Sequence, residues 1–242
     1  FNILFDIGNL LYTSILNSLI VSYVFFKKRV STYLLFLPVV IPFSVGINKE
    51  IFMILSFFIL INSLDSEKKQ TYSNGLIFAF IIICFTRIYF LTLYFSTIFS
   101  QKFKLDIILL LYLFLSILLG IFISEFKFLF NIPYFFLNKI DSFSYQFFSY
   151  IDLFYFNQLF YAPINILKLI FEPFLHLNPT KLFSFSQGYL MLLFIVHLNK
   201  IIKSKFLFKI LLVNFLVISF IPFVHFRYLL SLITVIILFT KK

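Results

Sequence analysis

Apolar runs close to the length of a bilayer crossing follow one another along almost the whole chain, and most of them are closed by lysine or arginine. A helix needs about 20 apolar residues to span the hydrocarbon, with a range of roughly 17–25, whereas a surface helix of a soluble domain is apolar along one stripe only. Composition points the same way. The chain is 62% hydrophobic with a mean hydropathy of +1.07, more apolar surface than a soluble core hides. These features predict an all-α fold: a polytopic integral membrane helical bundle of about eight or nine transmembrane helices, built as a single domain over residues 1–242.

The first crossing is read over Ile3 to Phe26, with Asp6, Gly8 and Asn9 making its first turns polar and Lys27, Lys28 and Arg29 stopping it. Val30 to Ile47 crosses back through Pro38 and Pro42, and Ile51 to Leu64 is a short third run. Gly75 to Phe99, with Arg87 near its middle, is read as one span, followed by Leu105 to Ile123. Leu159 to Leu177 supplies one crossing or a re-entrant pair, and Leu182 to Leu198, Phe206 to Val224 and Tyr228 to Phe239 complete the set. The stretch 131–181 differs in kind. Between Asn138 and Asp152 the residues Asn138, Asp141, Tyr145, Ser149 and Asp152 recur every three or four positions, the pattern of an amphipathic helix lying in the membrane interface. The chain begins with Phe1 rather than Met and enters a spanning pattern almost at once, which reads as a fragment.

A net charge of +11 would suggest nucleic acid in a soluble protein, but the basic residues cluster at the ends of apolar runs, as positive-inside loops require. No nucleic-acid partner is expected. With the N-terminus outside, the cytoplasm receives Lys27, Lys28, Arg29, Lys68, Lys69, Lys127, Lys200, Lys203, Lys205, Lys241 and Lys242. The exterior holds Lys49, Lys102, Lys104, Lys181 and Arg227, so Lys102 and Lys104 run against the bias.

Arg87 carries the strongest functional signal. A guanidinium stays charged at any accessible pH, and at the centre of a membrane helix it costs roughly 2.5–3.5 kcal/mol even on lenient insertion scales. On this topology Lys49, Glu50 and Arg227 gather at the outer face with Arg87 about half a membrane beneath them. Fixed cations of this kind suit an anionic diphosphate headgroup, because arginine grips phosphate oxygens bidentately. The plainer reading pairs Lys49 with Glu50, has Arg87 bond backbone carbonyls of a neighbouring helix, and makes Arg227 an interfacial helix end. Glu50 and Asp6 are the carboxylates placed to act as a general base, and His225, two residues before Arg227, is a further acid–base candidate. His176, His197 and His225 lack metal-ligand spacing and Cys84 is the single cysteine, so neither a metal nor another cofactor is expected.

Gly46-Ile47-Asn48-Lys49-Glu50 opening a short apolar helix, a charged loop, and then Arg87-Ile88-Tyr89 within an apolar helix resemble the bacterial Wzy-type polymerases of O-antigen and exopolysaccharide. Ala162-Pro163 through Phe171-Glu172-Pro173-Phe174 is similar to the proline-bounded stretch before their late helices. His225-Phe226-Arg227-Tyr228-Leu229-Leu230 looks like the start of their last helix and that of related C-type membrane glycosyltransferases. The resemblance covers most of Val30 to Lys242, although Ile88 and Ser231 stand where the family commonly has proline and Asn48 separates Gly46-Ile47 from Lys49.

The resemblance implies transfer of a glycan between polyprenyl-diphosphate carriers at the outer face of a bacterial inner membrane, beside other polysaccharide-assembly proteins. Arg87 and Arg227 would hold the diphosphate with Lys49, Tyr89 and His225, and Glu50 or Asp6 would accept the hydroxyl proton. Two readings from other classes stand beside it: a structural membrane subunit of a larger assembly such as an organelle respiratory complex, and a transporter or flippase.

Overall fold

The computed structural model describes residues 2–27, 38–39, 49–66, 69–125, 166–167, 169–174, 182–220 and 226–240. All of its regular structure among these residues is helical. In chain order the helices are α1 (Asn2–Phe26), α2 (Lys49–Leu64), α3 (Lys69–Thr86), α4 (Leu91–Lys102), α5 (Leu105–Glu125), α6 (Leu182–Lys203), α7 (Lys205–Ser219) and α8 (Arg227–Phe239), with a single 3-10 turn at Ile88–Phe90.

α8 is the centre. Every residue from Leu229 to Phe239 is buried, the behaviour of a helix that is apolar all round. α2 packs along it, and the two run in the same direction: Ser231 meets the Glu50 carbonyl near their starts, and the Phe58 and Phe239 rings lie 5.7 Å apart further on. α3 returns antiparallel to α2, with Met53 beside Thr86, the Ser56 hydroxyl donating 3.0 Å to the Ala79 carbonyl, and Gly75 against Ser63 and Ile59.

The expected single span over Gly75 to Phe99 is instead two helices. α3 ends at Thr86, Arg87 is extended at φ −154° and ψ 92°, and the 3-10 turn leads into α4. α4 then doubles back along α3. The Tyr94 hydroxyl donates 3.1 Å to the Leu76 carbonyl and its ring lies 5.7 Å from that of Phe80. In a continuous helix the 18 positions between Leu76 and Tyr94 would separate them by about 27 Å, so the contact requires the fold-back. Arg87 therefore occupies the apex of a helical hairpin rather than mid-span.

α4 next packs on α7 through a buried polar clasp. Ser96 Oγ donates to Asn214 Oδ1 at 2.6 Å, and Asn214 Nδ2 donates to Thr97 Oγ1 at 2.9 Å. α6 and α7 form a second antiparallel hairpin, with Phe194 stacked 6.5 Å from Phe215. Its turn is built by Ser204, whose Oγ accepts from the Leu207 N–H, the standard way to satisfy an opening N–H. Lys200 and Lys203 close α6, where the negative end of the helix dipole favours them.

The two hairpins sort the charges. The starts of α2 and α8 and the Arg87 apex share one end of the bundle. Lys102 at the close of α4 and the Lys200–Lys205 turn lie toward the other. Lys102 and Lys104 thus fall on the same side as the start of α3 at Lys69, opposite to where a continuous Gly75 to Phe99 span would place them.

One helical segment among the described residues, Phe185–Lys203, combines the length and apolarity of a membrane crossing. Tyr12–Phe25, Ser73–Thr86, Leu105–Leu118 and Arg227–Phe239 are shorter apolar helices. The expected eight or nine crossings are not reached among the described residues, because the Arg87 run is folded into two and α2 has only 16 residues. Val30 to Ile47 and the interfacial helix expected within 131–181 fall almost wholly outside the described residues.

Candidate functional site

Three side chains far apart in sequence converge at the arginine end. Glu50 is in the first turn of α2, Arg87 is the extended residue of the hairpin apex, and Arg227 opens α8. Arg87 Nη2 donates to Glu50 Oε1 at 2.7 Å. Arg227 donates to the same oxygen twice, from Nε at 2.8 Å and from Nη2 at 2.6 Å. The carboxylate is enclosed, with its side chain 2% exposed, while Arg87 is 18% and Arg227 47% exposed. The buried member of the cluster is the anion, and the cations face outward from it.

Local chemistry explains how the chain reaches this arrangement. At the end of α3 the Thr86 hydroxyl turns back to the Ile82 carbonyl at 2.7 Å, a bond that competes with continuation of the helix. Arg87 N–H closes the last turn on Ile83 O at 2.8 Å, and Phe90 N–H then bonds Arg87 O at 3.0 Å. Phe90, 1% exposed, anchors the turn with its ring 6.1 Å from that of Phe57. Neither glycine nor proline makes the break; a polar back-bond and the pull of Glu50 on Arg87 do.

Arg227 sits in the first turn of a helix, where the positive end of the dipole disfavours a cation by about 0.3–1 kcal/mol. Two carboxylates offset this. Glu50 takes the guanidinium, and Glu172, itself buried, accepts the Phe226 N–H at 3.1 Å through Oε2. Ser231, one helical turn after Arg227 and on the same face, reaches the Glu50 carbonyl at 3.5 Å. Glu50, Arg87 and Arg227 together carry one net positive charge, which the neighbouring Glu172 balances, and the N-terminal ends of α2 and α8 add the partial positive charge of their open N–H groups. Chemically, two guanidiniums with outward-facing N–H groups have the donors to bond an anion with several oxygens.

The structure brings Glu50, Arg87 and Arg227 into direct contact, whereas the sequence reading set Arg87 about half a membrane beneath the other two. It pairs Glu50 with the two arginines rather than with Lys49, which is exposed beside it at the start of α2. Asp6 and Tyr89 are placed by their backbones only, in α1 and in the 3-10 turn, and His225 lies outside the described residues. Glu172 and Ser231 are the members the sequence reading did not assign. The signal for Glu172 was a carboxylate inside an apolar, proline-bounded stretch, which needs a buried donor.

His197 is a buried residue of α6 whose Nδ1 lies 2.9 Å from the Leu193 carbonyl. Among the described residues no group of three His, Cys, Asp or Glu is placed to share a metal ion. No protein-family model, no curated protein and no solved structure matches this chain.

Proposed function

We propose that this chain is a membrane-embedded glycosyltransferase of the polysaccharide-polymerase type, holding the diphosphate of a polyprenyl-linked glycan with Arg87 and Arg227. The observation that carries the reading is the convergence of two guanidiniums on one enclosed carboxylate with their outer faces accessible. Catalysis of glycosyl transfer from such a carrier depends chiefly on cations fixed where the diphosphate leaving group gathers charge. Lys49 adds charge at the rim, and Tyr89 and His225 each lie two residues from one of the arginines in sequence. Asp6 is the proposed base. Glu50 serves that step only once its guanidinium partners have passed to phosphate oxygens.

Membrane residence is supported by the outward faces of the helices. Leu110, Leu111, Leu113, Phe114 and Ile117 of α5 are exposed, as are Ile77, Phe78 and Phe85 of α3, an apolar surface of a kind that soluble monomers rarely present to water. The 25 residues of α1 and the 21 of α5 give lengths of about 37 and 31 Å, enough to cross a bilayer of about 30 Å of hydrocarbon. The lysine-rich end is assigned to the cytoplasm and the arginine end to the outer face of a bacterial inner membrane.

One observation favours a second reading: Glu50 neutralises Arg87 within the chain, as a structural subunit with no ligand would require. Arg87→Ala and Arg87→Lys, assayed for long-chain surface glycan in the native host, separate the two. The transferase loses chain extension about 100-fold or more in both variants at normal membrane levels, the scale of a lost transition-state donor. The structural subunit loses protein abundance instead. Full polymer length in Arg87→Ala would sink the proposal.

A further inference from the structure

We propose that Glu50 is a specificity-determining residue that sets a charge threshold on the arginine cluster, admitting a diphosphate and excluding the singly charged phosphodiesters of bulk lipid. The inference rests on the proposed function and explains how the site can operate within a bilayer surface. Any exposed pair of guanidiniums at a membrane face meets phosphodiester headgroups in vast excess, and each of those brings one negative charge. In this cluster the place such a group would take is already filled from within the protein. Glu50 Oε1 accepts three N–H bonds at 2.6–2.8 Å, one from Arg87 and two from Arg227.

A phosphodiester offers the arginines no more charge than this carboxylate does. It must also approach against the carboxylate's own charge and against the advantage of an acceptor held in place by α2. A diphosphate brings a higher charge and several oxygens, enough to bond both guanidiniums bidentately, so it alone can draw them off Glu50. The carboxylate is thereby the site's reference anion. Its position at the first turn of α2, where the helix dipole favours a negative charge, keeps it in place when the site is empty.

The ligand chemistry recognised is a diphosphate with two or more negative charges, a diester in the glycan-loaded carrier and a monoester in the carrier it releases, which a lipid-linked carrier or a soluble nucleotide-like molecule could present. Equilibrium binding to the purified full chain in nanodiscs of zwitterionic lipid tests the idea with three probes: farnesyl diphosphate, inorganic pyrophosphate and dimethyl phosphate. Wild type is expected to bind the two diphosphates at least about 100-fold more tightly than dimethyl phosphate, a like-charge exclusion of the usual size. A preference for farnesyl diphosphate over pyrophosphate identifies the lipid-linked source, and equal binding identifies the headgroup alone.

Glu50→Gln keeps an acceptor and removes the charge. It is expected to tighten dimethyl phosphate binding and shrink the discrimination at least tenfold. If Glu50→Gln does not fold, the wild-type ratio still decides: equal affinity for diphosphate and dimethyl phosphate overturns the threshold. Weaker binding of every probe by a folded Glu50→Gln overturns it also, because Glu50 would then only position the arginines. Binding that is absent in wild type, or unchanged in Arg87→Ala and Arg227→Ala, overturns the proposed site itself.

Discussion

Glu50 ties three helices together through one oxygen atom, and the size of its contribution follows from what its removal would leave behind. With the carboxylate gone, two guanidiniums at the arginine end face each other with no anion between them; breaking a buried ion pair from one side costs about 3–5 kcal/mol, and water screening of the half-exposed Arg227 holds the cost to about the lower end of that range. Glu50→Ala should therefore destabilise the chain by about that amount, and Glu50→Gln, which retains one acceptor, by about 1–3 kcal/mol. The single cysteine, Cys84, gives the measurement: thermal exposure of its partly buried thiol to a maleimide dye in detergent. An unchanged melting profile in Glu50→Ala would show that the ion pairs contribute nothing net.

The three members of this cluster were legible because arginine and glutamate within or beside apolar runs demand a partner. The pairing was not. Lys49 adjoins Glu50 in the chain, and nothing in the local sequence says that Glu50 turns instead to residues 37 and 177 positions away.

At the scale of the helices, Gly75 shows how closely α2 and α3 approach. A Cβ placed there would overlap Ser63 Oγ and stand 2.9 Å from Ser63 Cβ. The hydroxyl is held by the Ile59 carbonyl at 2.7 Å, and no rotation about the Ser63 side chain relieves a clash with its Cβ. Gly75→Ala gains about 1 kcal/mol of helix propensity but forces the hairpin apart at a cost of about 1–3 kcal/mol. We expect net destabilisation, reversed in Gly75→Ala paired with Ser63→Gly. A double variant no more stable than Gly75→Ala alone would place the strain elsewhere.

Helix extents follow the apolar runs closely for α1, α2, α5 and α8, since run length and flanking charge decide them. The break at Arg87 escaped the sequence because it lacks the usual punctuation. Thr86-Arg87-Ile88 contains no glycine or proline, and what bends the chain there is a side-chain bond to Ile82 and a carboxylate on another helix, a tertiary influence that overrides local propensity.

For the molecule as a whole, that one bend changes which residues share a side of the bundle. Read as a continuous span, Gly75 to Phe99 carries Lys102 to the face opposite Lys69 and into the company of Lys49. Folded at Arg87, α4 returns Lys102 to the level of the start of α3, on the side where α6 and α7 place Lys200, Lys203 and Lys205. The described lysines at that end then share one side, as the positive-inside bias expects, and among the described residues the arginine end holds Lys49, Arg87 and Arg227. Single cysteines test this in a Cys84→Ser background. Lys102→Cys and Lys203→Cys should react with a membrane-impermeant maleimide from one side of sealed vesicles and Lys49→Cys from the other. All three positions are exposed, so weak reaction cannot be put down to burial. Labelling of Lys102→Cys from the same side as Lys49→Cys would mean that α3 and α4 cross as one helix. Arg87 would then lie at mid-membrane, out of reach of a diphosphate arriving at the surface.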